Sequence, residues 1–309
     1  MSSEIAQDGN NQEHGAASEH ENYYVPASSR LPILTALGLG VTLFGASHWL
    51  VGSTVLGFTG QQIFIVGCLF FAGVMASWWN TVIQENLAGL PSDQLKRSYV
   101  WGMGWFIFSE VMFFFIFFFA LAYVRIYSLD WLAADPEWAG FNAEWPLMTT
   151  PDQAANGDDA KFKGPDAIID PWHLPLLNTI ILIASSFTVH IAHNAIKAGK
   201  RNAFNLWLGI TVILGGTFLY FQVVEYIEAY QDLGLTLESG IYGTTFFMLT
   251  GFHGAHVTMG TIMLLIQLLR SVFGNHFKKD DHFGFEAASW YWHFVDVVWI
   301  CLFIFVYIL

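Results

Sequence analysis

Charged residues are scarce in this sequence. Only 12% of its 309 residues are Asp, Glu, Lys or Arg, about half of the roughly 25% that is usual in a soluble domain. This composition excludes an ordinary soluble protein, because a water-facing surface needs more charge. Cysteine is scarce too: Cys68 and Cys301 both lie in apolar runs, which excludes a disulfide scaffold.

Apolar and aromatic residues are abundant instead. The chain is 54% hydrophobic and has 29 Phe and 13 Trp, which excludes a disordered protein. Seven stretches are about 20 residues or longer and apolar enough to cross a bilayer. They cover residues 32–51, 61–83, 99–124, 174–197, 203–230, 241–271 and 284–309. The sequence therefore predicts an all-α membrane protein with seven transmembrane helices.

The net charge of −13 comes mainly from two segments outside these spans. Residues 1–30 have five acidic residues against one Arg, and residues 126–173 have nine against two Lys. Such an acidic balance argues against a nucleic-acid partner. We expect residues 1–22 to be a disordered cytoplasmic tail and residues 23–309 to form the membrane domain, with 126–173 as an external acidic loop.

The basic residues predict the orientation of the chain. Nine of the twelve precede the first span or lie between spans two and three, four and five, or six and seven. All these segments fall on one side of the membrane. The positive-inside rule therefore predicts a cytoplasmic N-terminus and a C-terminus on the outer side.

Ionisable side chains inside the spans are candidates for function, because a bilayer makes them costly. Glu110 lies in WFIFSEVMFFFIFFF, with no charged residue within ten positions. It could be a proton-active carboxyl group or a protonated one that is hydrogen-bonded to a neighbouring helix. Glu225 and Glu228 are three apart on one helical face, and so are His293 and Asp296. We interpret these four as polar contacts between helices, although His293 and Asp296 could also orient each other.

Histidine spacing raises the question of a metal site. His190 and His193 are three apart, as are His253 and His256, and imidazole ligates haem iron, copper and di-iron centres. The additional adjacent or distant histidines, or paired cysteines, that such sites need are missing. We therefore predict no metal ligand and no catalytic residue, and interpret His253 and His256 as structural. Motifs for phosphate binding, a serine nucleophile or a zinc protease are absent as well.

Six long strings resemble subunit III of the haem-copper cytochrome c oxidases. They are WWNTVIQE (78–85), FIFSEVMFF (106–114), PLLNTIILIASS (175–186), EYIEAY (225–230), GIYGTTFFMLTGFHGAHVTMG (240–260) and HFGFEAASWYWHFVDVVW (282–299). The resemblance runs in order from about Tyr23 to the end of the chain. It implies a two-helix and a five-helix bundle, separated by a V-shaped cleft that holds phospholipid.

The resemblance also implies a function. The chain would be a non-catalytic core subunit of a proton-pumping cytochrome c oxidase of aerobic respiration. It would bind subunits I and II, meet cytochrome c only indirectly, and carry no cofactor except bound phospholipid, since the haem and copper belong to the partner subunits. It would stabilise subunit I and support proton or oxygen delivery. The tail and the external loop look bacterial, which implies an inner membrane with a periplasmic C-terminus.

Four residues match functional positions of the family. Glu110 matches the buried glutamate of the third helix, Trp79 and Glu85 match lipid-cleft positions, and Arg270 matches a phosphate-binding arginine. Gln84 replaces an arginine that the family often has, so lipid binding at the second helix is less expected than at Arg270.

Two alternatives remain at this point. A subunit III of a quinol oxidase is usually shorter and lacks the first two helices, so the spans 32–51 and 61–83 favour the cytochrome c type. A stand-alone proton transporter would use Glu110, Glu225 and Asp296, and would predict inverted repeats or broken helices. The sequence shows neither feature.

Overall fold

The structure is a computed structural model that describes residues 28–138, 140–274, 276–277, 279 and 281–309. The predicted disordered tail, residues 1–22, lies outside the described residues. Helices dominate the described part. They are α1 (Leu31–Val51), α2 (Gly60–Leu87), α3 (Asp93–Tyr123), α4 (Leu129–Ala134), α5 (Pro151–Asn156), α6 (Leu174–Lys197), α7 (Arg201–Gln231), α8 (Gly240–Val272) and α9 (Phe283–Leu302).

Within the described residues, seven helices are long and apolar enough to cross a membrane. They correspond to the seven predicted spans, and the prediction of an all-α multi-pass membrane protein is confirmed. The largest differences concern the third span. Its helix begins at Asp93 rather than near residue 99, and it continues through a π-helical segment, Val124–Ser128, and α4 to Ala134 rather than ending near residue 124. Hydropathy detects only the part of a helix that prefers lipid, whereas the polar residues 93–97 are helical without being apolar.

The chain divides into two compact units. The first ends at Tyr99 and contains α1 and α2, which are joined by a short antiparallel hairpin of Thr54–Val55 and Phe58–Thr59. The second, Val100–Leu309, contains most of α3 and the other long helices. The long helices are thus grouped as two and five, as the resemblance implies.

Glycines bring α1 and α2 into backbone contact. A Cβ atom added at Gly45 would lie 2.3 Å from the backbone nitrogen of Phe64, and one at Gly67 would lie 2.7 Å from that of Thr42. Small residues allow such close approach in membranes, where packing rather than water exclusion holds helices together. The start of α2 is fixed by a capping box, in which Thr59 and Gln62 bond each other's backbone N–H groups.

The core of the second unit is built around α9. The side chains of Trp292 and Trp299 are fully buried. Trp292 Nε1 donates to Ser185 Oγ on α6 at 2.9 Å, and Trp299 Nε1 donates to Thr179 Oγ1 at the same distance. Each buried indole therefore packs in the core and satisfies its polar group, which ties α9 to α6.

The acidic loop, residues 126–173, has local structure of its own. It contains α4, α5 and two 3₁₀ turns, Pro136–Trp138 and Gly157–Asp159. The Asp152 carboxylate accepts hydrogen bonds from the Phe162 backbone N–H at 2.9 Å and from Asn156 Nδ2 at 2.7 Å. These bonds, that of Phe162 foremost, lower the pKa of Asp152.

Candidate functional site

Glu110 and His256 meet between α3 and α8. His256 Nε2 lies 2.9 Å from Glu110 Oε2, and His256 Nδ1 lies 2.6 Å from the backbone oxygen of Phe252. A carbonyl oxygen only accepts, so the second contact assigns a hydrogen to Nδ1. Nε2 then either accepts the proton of a neutral Glu110 or donates its own to an ionised one. In both states the pair holds one proton that can move between two atoms.

The surroundings of this pair are aromatic. The ring centroid of His256 lies 4.9 Å from that of Phe114 and 6.4 Å from that of Tyr291. The side chains of Glu110 and His256 remain only 22% and 14% exposed. Both interpretations of Glu110 are compatible with this geometry. A structural role needs a hydrogen bond to a neighbouring helix, which His256 on α8 provides, and a proton-active role needs a proton acceptor, which is the same imidazole.

His253, one turn before His256 on α8, is in a different environment. It is fully buried, and its ring lies 5.1 Å from Trp299 and 5.8 Å from Phe218. Neither of its ring nitrogens has a hydrogen-bond partner among the described residues. These contacts make His253 a packing residue of the core.

Glu225 and Glu228 differ in burial although they are three apart on α7. Glu225 is fully buried and accepts a hydrogen bond of 2.5 Å from Tyr307 Oη, whereas Glu228 is exposed. Residues three apart are offset by about 60° around a helix, which is enough to move from the core to the surface. Of these two glutamates, Glu225 is the one that links α7 to the end of the chain.

His293 and Asp296 lie close together but do not share a hydrogen bond. Their nearest atoms, Nδ1 and Oδ2, are 3.8 Å apart, and Nδ1 instead lies 2.8 Å from Ser186 Oγ on α6. The carboxylate of Asp296 is buried, with no hydrogen-bond partner in the part of the chain that is described. His293 is thus oriented by α6 rather than by Asp296.

Arg270 lies in the last turn of α8. Its Nη1 donates to Gln267 Oε1 at 2.9 Å, and its guanidinium carbon lies 4.9 Å from the ring centroid of Phe277. Its Nε is buried and has no partner in the described ranges. A cavity of about 220 Å³ nearby is lined by Phe277 and by two cations, Arg201 and Lys279. This end of the second unit is therefore cationic and partly apolar.

Trp79 and Glu85 belong to the first unit, on α2. Trp79 is 41% exposed and Glu85 is half-buried. Glu110 and Arg270 belong to the second unit. The four residues that match family positions therefore come from both units.

Sequence reasoning missed one cluster. Glu286 Oε1, in the first turn of α9, lies 3.1 Å from His193 Nε2 on α6 and 3.3 Å from His282 Nε2. The spacing of His282 and Glu286, four apart at a helix start, was a usable signal. His193 could not be added to it, because only the packing of α6 on α9 brings it there.

Comparison with known proteins decides the family. A family model described as "Cytochrome c oxidase subunit III" matches residues 20–137 and 163–309. The chain belongs to this family. The resemblance predicted from about Tyr23 onwards is thereby confirmed.

Curated relatives of the cytochrome c oxidase subunit III family agree. The chain is 41% identical over 249 residues to cytochrome c oxidase subunit 3 of Prototheca wickerhamii, covering 80% of this chain and 84% of the relative. It is 38% identical to that of Arabidopsis thaliana, covering 94% and 97%. With that of Drosophila melanogaster the identity is 37%, covering 94% and 98%. As a member of this family, the chain is a subunit of a cytochrome c oxidase and works in a complex with other oxidase subunits.

The match to the cytochrome c oxidase subunit III model is interrupted within the acidic loop. Residues 138–162 are left unmatched, and they include α5 with its Asp152 network. This part of the loop is therefore a feature of the present chain that the family pattern does not contain.

Proposed function

We propose that this chain is the non-catalytic core subunit III of a proton-pumping oxidase, in which it stabilises subunit I, binds phospholipid and supports proton or oxygen delivery. The haem and copper belong to the partner subunits in this proposal, and cytochrome c is met only indirectly. The observation that carries the proposal is the Glu110–His256 pair, which holds one movable proton in an aromatic interior.

The single proton that Glu110 and His256 share supports a role in proton supply. Moving the proton from Glu110 to His256 converts a neutral pair into an ion pair, so the pair responds to the electrostatic field around it. The arrangement contains no group that could carry an electron. A change at Glu110 should therefore affect proton delivery more than the reduction of haem.

Replacing Glu110 by Gln tests this step. Gln keeps the size and a hydrogen-bond donor but cannot release a proton at its side chain. In the intact oxidase complex, we expect haem reduction by cytochrome c to be largely unchanged and proton uptake during turnover to be slower. Glu228→Gln, at an exposed glutamate, is the matched control and should alter neither rate. A large loss of haem reduction in Glu110→Gln would contradict the proposal.

The cationic end of α8 supports phospholipid binding. A guanidinium group binds phosphate oxygens through two parallel hydrogen bonds, and Nε of Arg270 is free of partners within the described residues. Arg201 and Lys279 add positive charge beside it. On α2, the half-exposed Trp79 is of the type that lies at membrane interfaces. We propose Trp79 and Glu85 as a second lipid-contacting position.

Arg270→Ala tests the lipid site. We expect the purified complex to lose phospholipid and to have a shorter active life during turnover. Arg97→Ala removes an exposed arginine and serves as the control, whereas Arg270→Lys keeps the charge without the two-pronged geometry and should retain lipid only in part. Unchanged lipid content of Arg270→Ala by mass spectrometry would refute the site.

The type of oxidase and the orientation belong to the same proposal. Two helices precede α3, and the three relatives described above are named cytochrome c oxidase subunit 3, which favours a cytochrome c oxidase over a quinol oxidase. We propose a bacterial inner membrane with the N-terminus in the cytoplasm and the C-terminus in the periplasm. In cells with an opened outer membrane, we expect an amine reagent that cannot cross the inner membrane to label Lys161. Protection of Lys161 from this reagent would contradict the proposed orientation.

A further inference from the structure

Polar side-chain atoms without partners lie in the core of the second unit, on α6 and α7. We propose that Asn178, Gln222 and Glu225 form a buried site that binds ordered water. Asn178 and Glu225 are fully buried, and Gln222 is only 5% exposed. The site is distinct from the Glu110–His256 pair, and it does not depend on the function proposed above.

Five polar atoms of these three side chains have no hydrogen-bond partner among the described residues. They are both amide atoms of Asn178, both of Gln222, and Oε2 of Glu225. The other oxygen of Glu225 accepts the hydrogen bond from Tyr307 Oη. Nearly all buried polar groups in proteins are hydrogen-bonded, either to other protein groups or to ordered water. Orphaned donors and acceptors together therefore point to a ligand that can both donate and accept.

The packing of α6 on α7 places Asn178 level with Gln222. The two helices are joined by a short turn and run antiparallel, and the hydroxyl oxygens of Thr188 and Thr211 are 2.8 Å apart in a hydrogen bond between them. Asn178 lies ten residues before Thr188, and residue 221 lies ten residues after Thr211. Equal numbers of residues span equal lengths of helix. Both amides are therefore buried at the same depth of neighbouring helices.

The second contact of the site is on α7. Gln222 and Glu225 are three apart, so their side chains are neighbours on the helix, and both are buried. The amide of Gln222 faces Glu225 and Tyr307 but lies outside ordinary hydrogen-bond geometry with either. Water commonly bridges polar groups that do not reach each other directly. The arrangement around Gln222 is therefore that of a bridged contact.

The mixture of donors and acceptors selects water as the ligand. Each amide offers N–H donors and a carbonyl acceptor, and the carboxyl group adds an oxygen. A cation would pair with the oxygens and leave the N–H groups of both amides unpaired, whereas an anion would leave the oxygens unpaired. A buried water molecule makes about three hydrogen bonds to groups that otherwise have no partner, and it uses both kinds.

Water at this site would join three parts of the second unit. Asn178 is on α6, Glu225 is on α7, and Tyr307 lies in the π-helical turn that follows α9. Next to Asn178, Thr179 accepts the hydrogen bond from Trp299 of α9. The bound water would therefore extend to α7 the polar contacts that already join α6 and α9.

The first test uses the unaltered oxidase complex. We expect a density map that resolves ordered water to show a peak within hydrogen-bond distance, ~2.5–3.2 Å, of Glu225 Oε2 and of at least one of the two amides. A map in which Asn178, Gln222 and Glu225 bond each other directly, with no peak between them, would overturn the proposal. This measurement does not depend on how any variant folds.

Gln222→Met provides a second readout, the melting temperature of this chain in the intact complex. Methionine has nearly the shape of glutamine but lacks the amide. If water satisfies the amide, the substitution removes a partner from that water, and we expect the melting temperature to fall and the density peak to weaken. If the amide is truly unsatisfied, an apolar group of the same shape relieves its burial and the melting temperature rises. A rise or an unchanged value would therefore refute the site.

Gln231→Met is the matched control. Gln231 is the last residue of the same helix and is exposed, so its substitution should change neither the melting temperature nor the peak. Asn178→Leu tests whether the two amides share the water. Its effect combined with that of Gln222→Met should be smaller than the sum of the two single effects, because groups that share a partner are not independent. Additive effects would contradict a shared site.

Discussion

Replacing Gly45 by alanine should force α1 and α2 apart, because the added methyl group has no space. Its Cβ would lie 2.3 Å from the backbone nitrogen of Phe64 and 2.6 Å from the Cα atom of the same residue. Carbon atoms in contact are ~3.5–4.0 Å apart, so the two backbones must separate by about 1 Å. A side chain could rotate away from such a clash, but a helix backbone cannot.

The magnitude follows from two opposing terms. Overpacking of a well-packed contact costs ~1–3 kcal/mol, and the backbone obstruction places Gly45→Ala at the upper end. The higher helix propensity of alanine stabilises the helix by about 1 kcal/mol relative to glycine. We therefore expect the free energy of unfolding of the α1–α2 unit to fall by ~2 kcal/mol, a factor of about 30 in the folded-to-unfolded ratio.

Gly40→Ala is the matched control, five positions earlier on α1. A Cβ atom there meets nothing within 4 Å, so only the gain in helix propensity remains, and stability should rise by up to about 1 kcal/mol. The assay is pulse proteolysis of the intact, bilayer-reconstituted complex in increasing denaturant, with cleavage between α1 and α2 followed on this chain. If the denaturation midpoints of both variants shift in the same direction, the close-contact argument is wrong.

Two further substitutions test the core and the acidic loop. Trp292→Phe removes the hydrogen bond to Ser185 and part of a buried ring, and should lower the free energy of unfolding by ~2 kcal/mol; an unchanged melting temperature of the complex would contradict the packing. Hydrogen bonds from Phe162 and Asn156 lower the pKa of Asp152, so its carboxylate stabilises the loop above the usual pKa range of Asp and loses this effect as the pH falls through the lowered value. Asp152→Asn should therefore speed amide exchange at Phe162 at neutral pH and match the unaltered protein in acid, whereas equal rates at neutral pH would argue against the network.

Much of the fold could be predicted from local composition. A stretch of about 20 apolar residues is costly anywhere except in a bilayer, so the seven spans follow from the sequence alone. The start of α3 at Asp93 could not be predicted in this way. Hydropathy reports where a segment prefers to lie, and a helix continues into the polar region without changing that preference.

The candidate site was only partly predictable. Glu110 was conspicuous because no other charge lies near it in the sequence, but its partner His256 is 146 positions away. Likewise, His193 and Glu286 are separated by 93 positions. The helices are apolar on nearly all sides, so their sequences contain no stripe from which the facing residues could be read.

Seven long apolar stretches determined that this chain crosses a membrane seven times, and long sequence strings determined its family. The tertiary structure alone decided which of the few polar groups meet: Glu110 with His256, Glu225 with Tyr307, and Glu286 with two histidines. The physical reason is that membrane insertion depends on each segment's own composition, whereas a hydrogen bond depends on the rotation and depth of two helices at once. Within each unit, those are fixed by close packing at buried glycines and tryptophans.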